Sequence, residues 1–98
     1  GTNYGCSYNI LISLQGAPTI IYGNFLCSNN LLPTLLNGPD RVFGTFRCRY
    51  NKIKSLIGAP TYVKTEFDAS HNSELETLES IPEKVDGDFY CYNRYYKY

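Results

Sequence analysis

Hydrophobic positions return along the chain in a fixed order. An aromatic residue stands at Tyr4, Phe25, Phe46 and Phe67, a cysteine two places on at Cys6, Cys27 and Cys48, a leucine at Leu14, Leu35 and Leu56, and a proline at Pro18, Pro39 and Pro60. Polar Asn9, Asn30, Asn51 and Asn72 keep the same step of twenty-one residues. One residue is added near Ser73, so the next copy reads Leu75, Leu78, Pro82, Phe89 and Cys91 at a step of twenty-two. Self-similarity at such a period is the mark of a repeat architecture, in which each unit buries its apolar side only against its neighbours.

The local pattern sets the element. Phe-x-Cys alternates inward and outward as a short strand must, placing Phe25 and Cys27 toward a core and Leu26 and Ser28 on the opposite face. Stacked copies then form a parallel sheet of about five strands roughly 4.8 Å apart, and every inward position becomes a column of like residues. The expected structural core is Phe25, Cys27, Asn30, Phe46, Cys48, Asn51, Phe67, Asn72, Phe89 and Cys91. Asparagine belongs to it because its amide both donates and accepts, and so can bind the backbone of its own turn and of the adjacent repeat. Glycine and a proline in each return segment oppose a long helix there, which predicts extended or 3₁₀ connections.

The unit apolar-x-Gly-x-Phe-x-Cys-x-x-Asn-x-Leu-x-Ser/Thr-Leu-x-Gly-Ala-Pro resembles the leucine-rich repeat, with Phe46-Arg47-Cys48-Arg49-Tyr50-Asn51-Lys52-Ile53 in the place of L-x-L-x-x-N-x-L. Nearly the whole chain is covered, and the unit is most similar to short repeats of bacterial and phage proteins. One departure is that Ile21, Val42, Val63 and Val85 lie four places before the Phe, where the family pattern has three. The resemblance implies an arc-shaped, mainly β repeat solenoid and a protein-binding role in the cytoplasm, a reducing compartment, of a bacterial or phage-infected host cell.

With 43% hydrophobic residues in 98 positions and no long polar tract, the chain is expected to be a single domain over 1–98. It opens at Gly1 in mid-repeat without an evident polar cap, which suggests a segment of a longer chain. Over 94–98 the pattern fails: Arg94 stands where the repeat requires asparagine and Tyr95-Tyr96-Lys97-Tyr98 replaces the leucine run. Two readings of this tail stand side by side, a divergent C-terminal cap and a tyrosine contact patch.

Four cysteines in a chain this short suggest a disulfide framework if the chain is secreted, but the repeat register argues otherwise. Equivalent inward side chains on parallel strands point the same way, which suits the near-perpendicular disulfide dihedral poorly, and Ala69 takes the cysteine position once. Reduced, core-packed thiols are therefore expected. A linear column also gives no tetrahedron and no paired C-x₂-C occurs, so no metal is expected. Asp86-Gly87-Asp88 lacks the ordered oxygen ligands of a calcium loop. The one histidine, His71, sits in a variable position away from the inward thiols, and no glycine-rich phosphate loop follows a strand. No catalytic residues and no cofactor are expected, and the chain is read as a non-enzyme.

Charge narrows the partner class. Nine basic and nine acidic residues cancel, leaving no broad cationic field for nucleic acid. No apolar run approaches the roughly 18 residues of a membrane span. Function then falls to side chains facing outward from the strands, which vary against the fixed columns. Arg47, Arg49, Tyr50, Asp68, His71, Tyr90 and Tyr92 are the candidate partner-binding residues, since arginine and tyrosine dominate interface hot spots. Arg47 is expected beside Asp68 on the next strand, either as a stabilising pair or as part of an anion-holding cluster. The leading expectation is a module that binds another protein through the strand face. The alternatives are a structural segment self-associating through its repeat ends and a targeting appendage of an enzyme lying outside this chain.

Overall fold

The computed structural model describes residues 3–93 and Tyr96. Its architecture is a mainly β repeat solenoid built from nine two- or three-residue strands: β1 (Tyr4–Gly5), β2 (Ile20–Ile21), β3 (Phe25–Leu26), β4 (Arg41–Val42), β5 (Thr45–Arg47), β6 (Tyr62–Val63), β7 (Glu66–Asp68), β8 (Lys84–Val85) and β9 (Asp88–Tyr90). No helix occurs among the described residues. The odd-numbered strands form a five-stranded sheet in the order β1-β3-β5-β7-β9, and the even-numbered ones a four-stranded sheet in the order β2-β4-β6-β8. All pairings are parallel and in repeat register, for example Phe25 with Phe46 and Phe46 with Phe67.

The five-stranded sheet follows the expected alternation. Tyr4, Phe25, Phe46, Phe67 and Phe89 form one aromatic stack with centroids 4.9 to 5.3 Å apart and planes within 10° of parallel. Cys27, Cys48, Ala69 and Cys91 run beside it, fully buried. Phe89, placed with the core from the sequence, is only half-buried, because β9 has a described neighbour strand on one side alone.

The second sheet accounts for the displaced apolar residue. Ile21, Val42 and Val63 point into the core while Ile20 and Arg41 point out, so the return segment is extended there and pairs with its own copies. Between each strand of the five-stranded sheet and the following strand of this one, the Leu-x-Gly-Ala consensus folds as a turn. The amides of Ala17 and Ala59 donate to the carbonyls of Leu14 and Leu56, with Gly16 and Gly58 at φ +94° and +90°. That is the third-position requirement of a type II turn. A side chain at Gly58 would also strike the backbone of Leu36 in the preceding repeat. In the second and fourth repeats Asn37 and Ser80 occupy the same left-handed place. Two residues ahead of each turn's second residue, Ser13, Thr34, Ser55 and Thr77 accept the amides of Gln15, Leu36, Ile57 and Glu79, which explains the recurring hydroxyl.

The asparagine column is the other fastener. Asn51 Nδ2 donates to the carbonyls of Cys27, Cys48 and Arg49, and its Oδ1 accepts the amide of Leu32. Asn30 and Asn72 repeat the arrangement one step to either side. Asn93 is also buried and donates to the carbonyls of Asn72 and Leu75. Of the tail, Arg94, Tyr95, Lys97 and Tyr98 lie outside the described residues. Tyr96 packs partly against the core and exchanges backbone and side-chain hydrogen bonds with Asn93.

Candidate functional site

The outward face of the five-stranded sheet carries its own ladders. Ser7 Oγ accepts the amide of Ser28, Ser28 Oγ that of Arg49, and Ser70 Oγ that of Tyr92. Arg49 interrupts this row. Asp68 compensates by turning its Oδ1 to the amide of Ser70 and its Oδ2 toward Arg49 Nε at 3.6 Å. Asp68 is only 7% exposed as a result, so this candidate residue is engaged in the scaffold.

Arg47 pairs differently from expectation. Its Cα is in register with Asp68, yet its guanidinium bonds Glu66 Oε2 at 3.1 and 3.2 Å. The long side chain leans back along its neighbour strand, and Asp68 is already held by Arg49. Exposed pairs of this kind stabilise by about 0 to 1 kcal/mol. Their main effect is to fix two guanidinium groups at the centre of the sheet.

The residue after the outward serine row has left-handed backbone in four consecutive repeats: Tyr8 (φ 59°), Asn29 (59°), Tyr50 (55°) and His71 (62°). The chain must reverse there to let the following asparagine side chain reach back to the carbonyls. Left-handed backbone favours glycine and asparagine and costs other residues roughly 1 to 2 kcal/mol. Three of these four positions nevertheless hold rings. His71 stacks on Tyr50 with centroids 4.5 Å apart and planes 3° from parallel, and Tyr92 meets His71 at 5.9 Å and 57°. The Arg49 guanidinium lies 5.6 Å from the Tyr50 centroid.

These rows enclose an open groove of about 240 Å³ lined by Ser7, Tyr8, Leu26, Ser28, Asn29, Arg47, Arg49 and Tyr50. It runs across the strands of the first three repeats. Of the candidate residues, Arg47, Arg49 and Tyr50 line it; His71 and Asp68 contact those from behind; Tyr90 and Tyr92 lie farther along the same sheet. Tyr90 donates its hydroxyl to Asp88 Oδ2 at 3.2 Å, and the Asp88 charge raises its ionisation above the ordinary tyrosine range. Tyr8 and Asn29 were missed as site residues. Their signal was the shared position with Tyr50 and His71.

Among the described residues, no three His, Cys, Asp or Glu side chains converge in a metal-ligating group, and no helix is long and apolar enough to cross a membrane. The fold and this groove define a short-period parallel β-solenoid with a basic and aromatic strand face. Comparison with protein-family models, curated proteins and solved structures finds no match.

Proposed function

We propose that this chain is a leucine-rich-repeat module that binds a partner protein through its five-stranded face. The observation that carries this reading is the groove itself: two arginines and two tyrosines converge on one open depression of a rigid, in-register sheet. Tyr8 is 82% and Tyr50 49% exposed, while Phe46 and Cys48 beneath Tyr50 are fully buried. Large rings held in the open on strained backbone are what a contact surface uses, since such anchors lose little conformational freedom on binding. The recurring asparagine ladder supports the family assignment, because it performs the backbone-bracing role that the resemblance implies. The resemblance to phage and bacterial repeats makes a host-directed regulatory protein of a reducing cytoplasm the reading that fits best, with no catalytic step of its own.

Affinity capture from lysate of the host cell tests this. The intact chain is expected to retain a defined protein that an Arg47→Ala/Tyr50→Ala variant loses at least tenfold, as hot-spot truncation requires. Tyr90→Ala is expected to retain it. Equal capture by the double variant would remove the strand face from consideration. A second reading, self-association, is favoured by Ile10 and Ile12, which are 82% and 70% exposed in the first repeat beside the edge of β1 that pairs with no strand among the described residues. Mass that grows with concentration in sedimentation would select it.

A further inference from the structure

Wherever adjacent repeats of this solenoid carry rings at one position, the rings stack. The core column does so at 4.9 to 5.3 Å, and Tyr50 with His71 does so on the surface at 4.5 Å. The left-handed row reads Tyr8, Asn29, Tyr50, His71, and its members are held in register by amide bonds of 2.9, 2.9 and 3.2 Å to Ser28, Arg49 and Ser70. Asn29 is thus a missing rung. Its side chain is short, and Tyr8 and Tyr50 stand one strand away on either side, both lining the groove. Two strand spacings total roughly 9.6 Å, so a flat ring inserted at the level of Asn29 sits roughly 4.8 Å from each neighbour, within the range of favourable aromatic stacking.

The same groove has a basic wall. Glu66 engages Arg47 and Asp68 approaches Arg49 from β7, on the side away from the gap. Arg49 Nε, although buried, has no hydrogen-bond acceptor, since Asp68 stands off at 3.6 Å. That nitrogen is enclosed, so a further anion is met by the remaining guanidinium N–H groups: each guanidinium carries five, and Glu66 engages Arg47 only through Nε and one Nη. Resting on the strand-face reading above, we propose that the occupant is a segment of the partner protein bearing an aromatic side chain next to a carboxylate. The ring completes the stack between Tyr8 and Tyr50 and the carboxylate bonds Arg49 and Arg47. A nucleobase with its phosphate has related chemistry, but the sheet beyond the arginines carries Glu66, Asp68 and Asp88 and the chain has no net charge, which opposes a phosphate track.

The chain contains no tryptophan, so a tryptophan probe reports binding directly. The probe is acetyl-Glu-Trp-Glu-amide, followed by its fluorescence as the whole chain is titrated in. Saturable binding is expected, with a dissociation constant on the order of 0.1 to 1 mM for a fragment of this size. Asn29→Tyr supplies the rung from within the chain and is expected to weaken binding at least tenfold. It keeps the fold because Tyr8 and Tyr50 already place tyrosine on that backbone. Arg49→Ser, the residue at this position in three other repeats, is expected to weaken it about tenfold by removing a charge-assisted bond. Acetyl-Glu-Leu-Glu-amide is expected to compete about tenfold less well than the tryptophan peptide.

Unchanged binding to Asn29→Tyr, equal competition by the leucine peptide, or no binding at several millimolar overturns the proposal, as does displacement by octathymidylate at lower concentration than peptide. If Asn29→Tyr does not fold, Arg49→Ser and the leucine competitor decide. The captured partner separates the two levels of inference. Loss with Arg47→Ala/Tyr50→Ala but retention with Asn29→Tyr sinks the aromatic slot alone, whereas retention with both sinks the strand-face reading.

Discussion

Four cysteines in equivalent positions differ in depth, and their chemistry follows depth. Cys6 is half-buried in the first repeat, and the adjacent Cys27 thiol, whose proton also lies against the Arg47 carbonyl at 3.3 Å, holds its ionisation below the ordinary value of 9.0 against the opposing effect of burial. The same contact pushes Cys27 the other way, aided by burial. Burial, with the Asp68 charge adding to it, raises Cys48 and Cys91. Thiolate is the reactive species, so Cys6 is expected to react first with a disulfide reagent such as dithionitrobenzoate at pH 8. One equivalent should be released rapidly and three only on unfolding; Cys6→Ser should abolish the rapid phase, and a fast phase that persists in that variant would contradict this ordering. The raised thiols also set a sign for pH. Folded Cys27 and Cys48 hold protons that the unfolded chain releases above about pH 9, so their contribution to stability is complete below that pH and declines as pH rises beyond it.

At the scale of the element, the asparagine turn holds one repeat to the next. Asn51→Ala leaves the buried amide of Leu32 without its acceptor and removes one of the two asparagine donors from each of the Cys27 and Cys48 carbonyls, which keep Asn30 and Asn72, a loss of about 3 kcal/mol on the usual cost of orphaned buried groups. Asn9 makes only the local bonds to the Cys6 and Ser7 carbonyls and is exposed, so Asn9→Ala is expected to lose less than about 1 kcal/mol. Chemical denaturation of both variants measures the contrast, and equal losses would deny the column its inter-repeat role. These turns and the Phe and Cys columns were legible because each is one residue type held at one step. The second sheet was not: only one apolar position recurs in each copy, at Ile21, Val42, Val63 and Val85, whereas Phe-x-Cys supplies two and so shows alternation. Nor was the partner choice of Arg47, which depends on how a long side chain leans after Asp68 has been taken by Arg49. The groove was half legible. Arg47, Arg49 and Tyr50 stand out by residue type, but the gap at Asn29 has meaning only once the row is known to be left-handed and in register.

For the whole molecule, cohesion is a chain of nearest-neighbour contacts. The leucine columns record it: Leu32, Ile53 and Leu75 are fully buried while Leu11, their counterpart in the first repeat, is only half-buried, and Leu35 and Leu56 are fully buried where Leu78 is not. A repeat covered on both sides opens only if two interfaces break, and one covered on a single side opens by breaking one. Local opening energy should therefore peak in the third repeat. Hydrogen exchange of this chain is expected to show the slowest amides at Cys48 and Lys64, which bond the carbonyls of Asp68 and Val42, and exchange at least tenfold faster at Tyr4 and Cys6, which bond those of Asn24 and Leu26. All four amides donate across repeats at 2.8 to 2.9 Å, so bond geometry does not distinguish them and any difference reports the stacking around them. Uniform protection would mean that the repeats unfold as a single unit, with interface coupling strong enough to erase the gradient. A gradient, by contrast, would place the groove across a real difference in rigidity, with Tyr8 on the mobile first repeat and Tyr50 on the rigid third. Closure of the slot on a ring would then draw the first repeat against its neighbours, and saturating acetyl-Glu-Trp-Glu-amide should slow exchange at Tyr4 and Cys6 more than at Cys48.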